Sequence, residues 1–137
     1  MARCLVLNVK YESGEAPIYI KECNDLQDFY DAIKADPFDI AVRNVGGRNF
    51  DFFVDDNGLF EENAIPSVVD SALNPLLVGN LVIANHDAEG NTTDLSDDDI
   101  KVIKNNIEWF GVNFYGVAGF RLVPVITNAD YPIYERR

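Results

Sequence analysis

Residues 38–58 read FDIAVRNVGGRNFDFFVDDNG, and the fold turns on how this stretch is read. Two strand-like runs, 38–45 and 48–54, flank the pair Gly46-Gly47. Glycine reaches positive φ without a Cβ clash, as tight hairpin turns demand. Ile40 and Val42 alternate with Ala41 and Arg43; Phe50 and Phe52 alternate with Asn49, Asp51 and Phe53. That period of two is the signature of a strand. Phe52 and Phe53 are neighbours and so point to opposite faces: either one ring is exposed or both sides of the sheet are covered. Asp55-Asp56-Asn57-Gly58 closes the second strand as a further turn.

Toward the N-terminus, residues 3–10 (RCLVLNVK) form a β-rich run. Gly14 and Pro17 punctuate the next loop, and Ile18-Tyr19-Ile20 resumes a strand, so the two runs form a hairpin with a longer loop. Asn24 and Asp25 offer an N-cap to a helix that carries Leu26, Phe29, Tyr30 and Ile33 at helical spacing. Pro37 is expected to end it. Beyond the central hairpin, Pro66 is expected to open a short helix over 67–73 that Pro75 stops. Residues 78–84 (VGNLVIA) read as a central strand.

Ser96 with Asp99 three residues on resembles a capping box, and Leu95 with Ile100 a hydrophobic staple. The helix they start is expected to run to about Phe110, with Ile100, Ile103, Ile107 and Phe110 on one face and Gly111 as C-cap. Residues 119–126 read as a last strand, at an edge because Pro124 cannot donate to a ladder. The order is roughly β-β-α-β-β-(α)-β-α-β. It predicts an α+β fold, a mainly antiparallel β-sheet with two main helices packed on one face. One domain over 1–137 is expected, with a trailing tail from about 128 to 137.

The totals agree with that picture. The chain has 137 residues, 47% of them apolar, enough to bury a core without a metal or a disulfide. Cys4 and Cys23 form no CxxC pair and read as small core hydrophobes; a disulfide between them requires adjacent strands. The N-terminal residues lack a basic region followed by a long apolar one, and no apolar run approaches the roughly 20 residues of a membrane span. A cytoplasmic protein is therefore expected, in a bacterial host if a phage or plasmid encodes it. The net charge of −12 argues against direct binding to nucleic acid or to an anionic membrane. It suits a protein partner with a basic surface.

Few residues offer chemistry. His86 is the single histidine, and no partner for a triad or a zinc site is legible beside it. A catalytic role would require it to gather two or more carboxylates. The acidic stretch Asp87, Glu89, Asp94, Asp97, Asp98 and Asp99 contains no Lys or Arg. Its spacing is not that of an EF-hand. Much of it is what a solvated loop and a helix N-terminus would use anyway. Gly46-Gly47 between Arg43 and Arg48 lacks the strand–loop–helix setting of a phosphate loop. The aromatic residues Phe50, Phe52, Phe53, Trp109, Phe110, Phe114, Tyr115 and Phe120 are mostly core; any exposed patch among them would mark a binding surface.

The order of these elements resembles domain-of-unknown-function family 3846. The resemblance rests on FDIAV at 38–42, FVDDNGL at 53–59, NPLLVGNLVI at 74–83 and DLSDDDI at 94–100, and covers roughly residues 3–107. It implies an accessory protein of a phage or another mobile element, and it supplies no catalytic residues.

Two readings of function follow. The first is a non-enzymatic protein that binds a partner through an acidic surface: Asp55, Asp56, Asp87, Glu89, Asp94, Asp97, Asp98 and Asp99. One form of it is an acidic counter-defence protein that occupies a nucleic-acid-binding site. The alternative is a module for a nucleotide-like ligand, with Arg43, Arg48 and Arg121 on the anion and Phe53 stacking. No catalytic residue, metal or cofactor is assigned, and a dimer is compatible with either reading.

Overall fold

A computed structural model describes residues 2–12, 14–34, 38–55, 65–113 and 120–132. In chain order they form β1 (Ala2–Leu7), β2 (Ile18–Cys23), α1 (Leu26–Ile33), β3 (Phe38–Val45), β4 (Arg48–Asp55), β5 (Pro66–Val69) and β6 (Pro75–Val78). Then come β7 (Leu81–His86), β8 (Thr92–Thr93), α2 (Asp97–Asn105), β9 (Ile107–Asn113), β10 (Phe120–Ile126) and β11 (Ala129–Asp130).

Two sheets result. The larger runs β11-β3-β4-β7-β1-β2 with β8 on β7; the smaller runs β6-β5-β10-β9. Every pairing is antiparallel except β5 with β10. The central hairpin forms as its sequence demands, from Phe38 opposite Asp55 to Val45 opposite Arg48. Gly46 and Gly47 turn it at φ 61° and 86°. Gly46 is also packed beneath α2, since a Cβ there would lie 2.5 Å from Val102 Cγ1.

Phe52 and Phe53 are both buried, because both faces of the large sheet are covered. Phe52 joins Leu5, Leu7, Phe50, Ile83 and Ile103 with Val68, Val123 and Ile126 of the small sheet. Phe53 joins Cys4, Val6, Val82 and the α1 residues Phe29, Ala32 and Ile33 on the other side. This explains why Leu81–Ala84 are apolar without alternation: all four are buried. It also corrects the placing of both helices on one face. α1 packs behind Phe53, and Ile103 of α2 packs on the Phe52 side.

α1 uses Asp25 as its N-cap, in a capping box with Asp28, and ends at Lys34 in the left-handed region. Pro37 lies outside the described residues. α2 starts at its expected Ser96–Asp99 box. It stops at Asn105, five residues short of the expected end. Asn106 turns its side chain back onto the Val102 carbonyl at 2.8 Å, and Ile107 onward pairs with β10. Ile107, Phe110 and Gly111 thus belong to β9, and Gly111 stands mid-strand opposite Leu122 rather than capping a helix. β-branched and aromatic residues favour a paired strand, which outweighs their helical spacing.

Three other expectations change. The helix from Pro66 is instead a hairpin of β5 and β6, whose turn is held by the Asp70 carboxylate accepting from Ala72 and Asn74 N–H groups. The strand expected from Val78 is interrupted by Gly79 at φ 79° and resumes at Leu81. Pro124 is buried within β10, which has neighbours on both sides; β5 meets it only at Ile126, two residues past the proline. Within the segment 128–137, Ala129 and Asp130 pair with Val45 and Asn44 and Ala129 is buried, while residues 133–137 lie outside the described residues. Among the described residues, no helix is long and apolar enough to cross a membrane.

Candidate functional site

The polar residues that the fold brings together lie where β4, β7, β8 and the start of α2 meet. His86 ends β7 and projects on the face that α1 shares, one pleat beyond Ala84. Ala84 stands opposite Asp51 of β4. This register places His86 Nδ1 3.0 and 2.9 Å from the two Asp51 oxygens. The carboxylate is 9% exposed and the imidazole 51%, so the pair has a buried orienting end and an accessible ring. A neutral imidazole here donates Nδ1–H to Asp51 and turns the Nε2 lone pair away from it. Among the described residues His86 meets this one carboxylate, not two or more. Among the described residues no group of three His, Cys, Asp or Glu side chains is placed to hold a metal ion.

Asn85, the preceding residue, points to the opposite face. Its amide donates to Asp99 Oδ2 at 2.8 Å, while Arg48 Nη1 donates to Asp99 Oδ1 at 2.7 Å. Asp99 also accepts the Ser96 N–H at 2.9 Å, its half of the capping box. Burial works to raise the Asp99 pKa, but the Ser96 N–H, the Arg48 guanidinium and the Asn85 amide outweigh it and hold the group below the usual carboxylate range. One carboxylate therefore joins the β3–β4 hairpin, β7 and the N-terminus of α2.

Arg3 ties the same region to β1. Its N–H donates to Asp94 Oδ1 at 2.5 Å, its guanidinium donates to the Leu95 carbonyl at 2.8 Å, and it meets Asp97 at 3.0 Å. Asp87 holds the turn after β7, accepting N–H groups of Asn91 at 2.9 Å and Glu89 at 3.0 Å. The Asn91 N–H is the main cause of its lowered pKa. Glu89 and Asp98 are exposed. The stretch from Asp87 to Asp99 thus follows one path: turn, β8, first turn of α2.

The remaining expected residues lie elsewhere. Asp55 sits at the far end of β4, past the Val54–Leu81 pair and away from His86. Asp56 lies outside the described residues, as do Phe114 and Tyr115. The three arginines do not converge. Arg48 is on Asp99. Arg43 donates to the Val42 carbonyl and stacks over Tyr131 at 5.0 Å, beside a cavity of about 220 Å³ that Asp39 and Asp55 also line. Arg121 stacks over Tyr11 at 4.7 Å and donates to its carbonyl. The ring of Phe53 lies 4.4 Å from that of Phe29 in the core. Trp109 is half-exposed; Phe110 and Val112 on the other face of β9 line an apolar cavity of about 290 Å³ between β5, β9 and β10.

The Asp51–His86 pair and the anchoring by Arg3 and Asn85 were not readable from spacing. One signal existed: Asp51 interrupts Phe50-Asp51-Phe52-Phe53, and a carboxylate among core positions needs a partner.

A family model described as Domain of unknown function (DUF3846) matches residues 7–108. No curated protein and no solved structure matches the chain.

Proposed function

This chain belongs to the DUF3846 family, and from that premise we propose that it is a binding protein whose acidic segment from Asp87 to Asp99 holds a protein partner with a basic surface. What supports the reading is the preparation of that segment. Asp87 and Asp99 fix its two ends through backbone N–H groups, and Arg3 fixes its middle. Glu89, Asp97 and Asp98 remain exposed on this ordered path. Carboxylates held in place cost little ordering on binding. With a net charge of −12 they steer a basic partner and raise its on-rate at low salt.

The partner that fits best normally holds nucleic acid, because a row of carboxylates can occupy a surface built for phosphates. A counter-defence role in a phage or plasmid setting is one form of this reading.

The test is affinity capture with the full chain, then titration of the captured partner. Affinity should fall about tenfold between roughly 0.05 and 0.3 M salt. The double variant Glu89→Gln/Asp98→Asn should weaken binding at low salt, and duplex DNA should compete. Binding indifferent to salt and to the double variant sinks the proposal.

A further inference from the structure

The large sheet carries a second feature, on the face that α1 covers. Ala2 of β1 stands directly opposite Cys23 of β2, so Cys4, one pleat along β1, lies diagonal to Cys23 on the same face. Both are free thiols, 0% and 4% exposed, in the apolar cluster that Phe29, Ala32 and Ile33 of α1 cover. Cys4 Sγ lies 3.5 Å from the Ala2 carbonyl, so it reaches back along β1 toward the rung that Cys23 occupies. The two thiols sense one another: the Cys4 hydrogen bond lowers the Cys23 pKa, while that same contact and burial raise Cys4. Lys21 nearby also favours the Cys23 thiolate.

We propose that Cys4 and Cys23 form a reversible disulfide, a redox-sensitive lock joining β1 to β2 beneath α1. Diagonal cross-strand Cα atoms lie about 7–8 Å apart and disulfides need roughly 4.4–6.8 Å, so the strands must close by about 1 Å. Cys23 is the last residue of β2, which lies at the end of the strand order and can yield. The oxidant class is a peroxide. The Cys23 thiolate attacks one oxygen, the O–O bond breaks, and the sulfur becomes a sulfenic acid while the other oxygen leaves as hydroxide. The Cys4 thiol then attacks the sulfenic sulfur, the S–O bond breaks, and water leaves. In sum two thiols and one hydrogen peroxide give one disulfide and two waters, the two sulfurs together losing two electrons. A dithiol compound reverses the step by exchange.

The experiment treats the full chain with hydrogen peroxide at neutral pH and reads intact mass, thiol-alkylation state and thermal midpoint. The expected product has lost two hydrogens, resists alkylation at both cysteines, yields a Cys4–Cys23 linked peptide and returns to the starting mass with dithiothreitol. Its midpoint should rise by roughly 5–10 °C, since the bond closes a loop that the unfolded chain would otherwise leave open. Cys4→Ser should instead stop at sulfenic or higher oxidation of Cys23. The linked peptide is read on the unaltered chain, so a variant that folds poorly leaves the test intact. Sulfinic oxidation of Cys23 without a link, bonds only between molecules, or two unreacted thiols would overturn the lock.

Discussion

Asp99 shows how much one carboxylate can organise. It closes the capping box of α2, meets Arg48 from the hairpin and accepts from Asn85 of β7. Replacing it by alanine removes a cap, the Arg48 partner and the shorter of the two hydrogen bonds of the Asn85 amide, a cost of about 1–2 kcal/mol. Urea unfolding at neutral pH should report that loss. The pH dependence has a definite sign. The folded pKa is depressed, so this stabilisation is complete above the ordinary carboxylate value of 3.8 and is lost as pH falls through the depressed one. Asp99→Ala and the unaltered chain should therefore draw together in acid. A gap that stays constant would assign the effect to packing instead. The box itself was legible, as Ser96 and Asp99 stand three apart. Arg48 and Asn85 were not, being brought in from 51 and 14 residues away.

At the scale of elements, the two glycines of the central hairpin are not equivalent. Both have positive φ, but a Cβ on Gly47 meets nothing within 4 Å, whereas one on Gly46 meets Val102 of α2 at 2.5 Å. Gly47→Ala should cost about 1 kcal/mol from backbone conformation alone. Gly46→Ala adds a steric displacement of α2 and should cost about 2–4 kcal/mol. Chemical denaturation of the two variants side by side checks the difference; equal costs would mean that α2 moves freely off the turn. The hairpin was legible because alternation and Gly-Gly agree. The elements that depart from their local pattern share a cause. Ser67-Val68-Val69 stand between prolines that could bound a helix, and Ile107 and Phe110 continue a helical spacing, yet each segment gains a neighbouring strand in the fold, β6 and β10. A strand's stability lies in that remote partner, which local spacing does not contain.

For the whole molecule the governing quantity is charge. With 23 acidic and 11 basic residues, self-repulsion opposes the folded state at low ionic strength. Raising salt from roughly 0.02 to 0.3 M should lift the thermal midpoint by a few degrees, because exposed charges are screened beyond about 10 Å. A falling midpoint would instead show that ion pairs such as Arg48–Asp99 outweigh the repulsion. Composition, the central hairpin, both helix caps and the acidic stretch followed from the sequence by itself, since each depends on residues within a few positions of one another. The two-sheet arrangement, the helices on opposite faces, the separation of the three arginines, the Asp51–His86 pair and the diagonal of Cys4 with Cys23 were decided by the tertiary structure alone. Each depends on strand register between distant segments, and a shift of one residue would turn every such side chain to the other face.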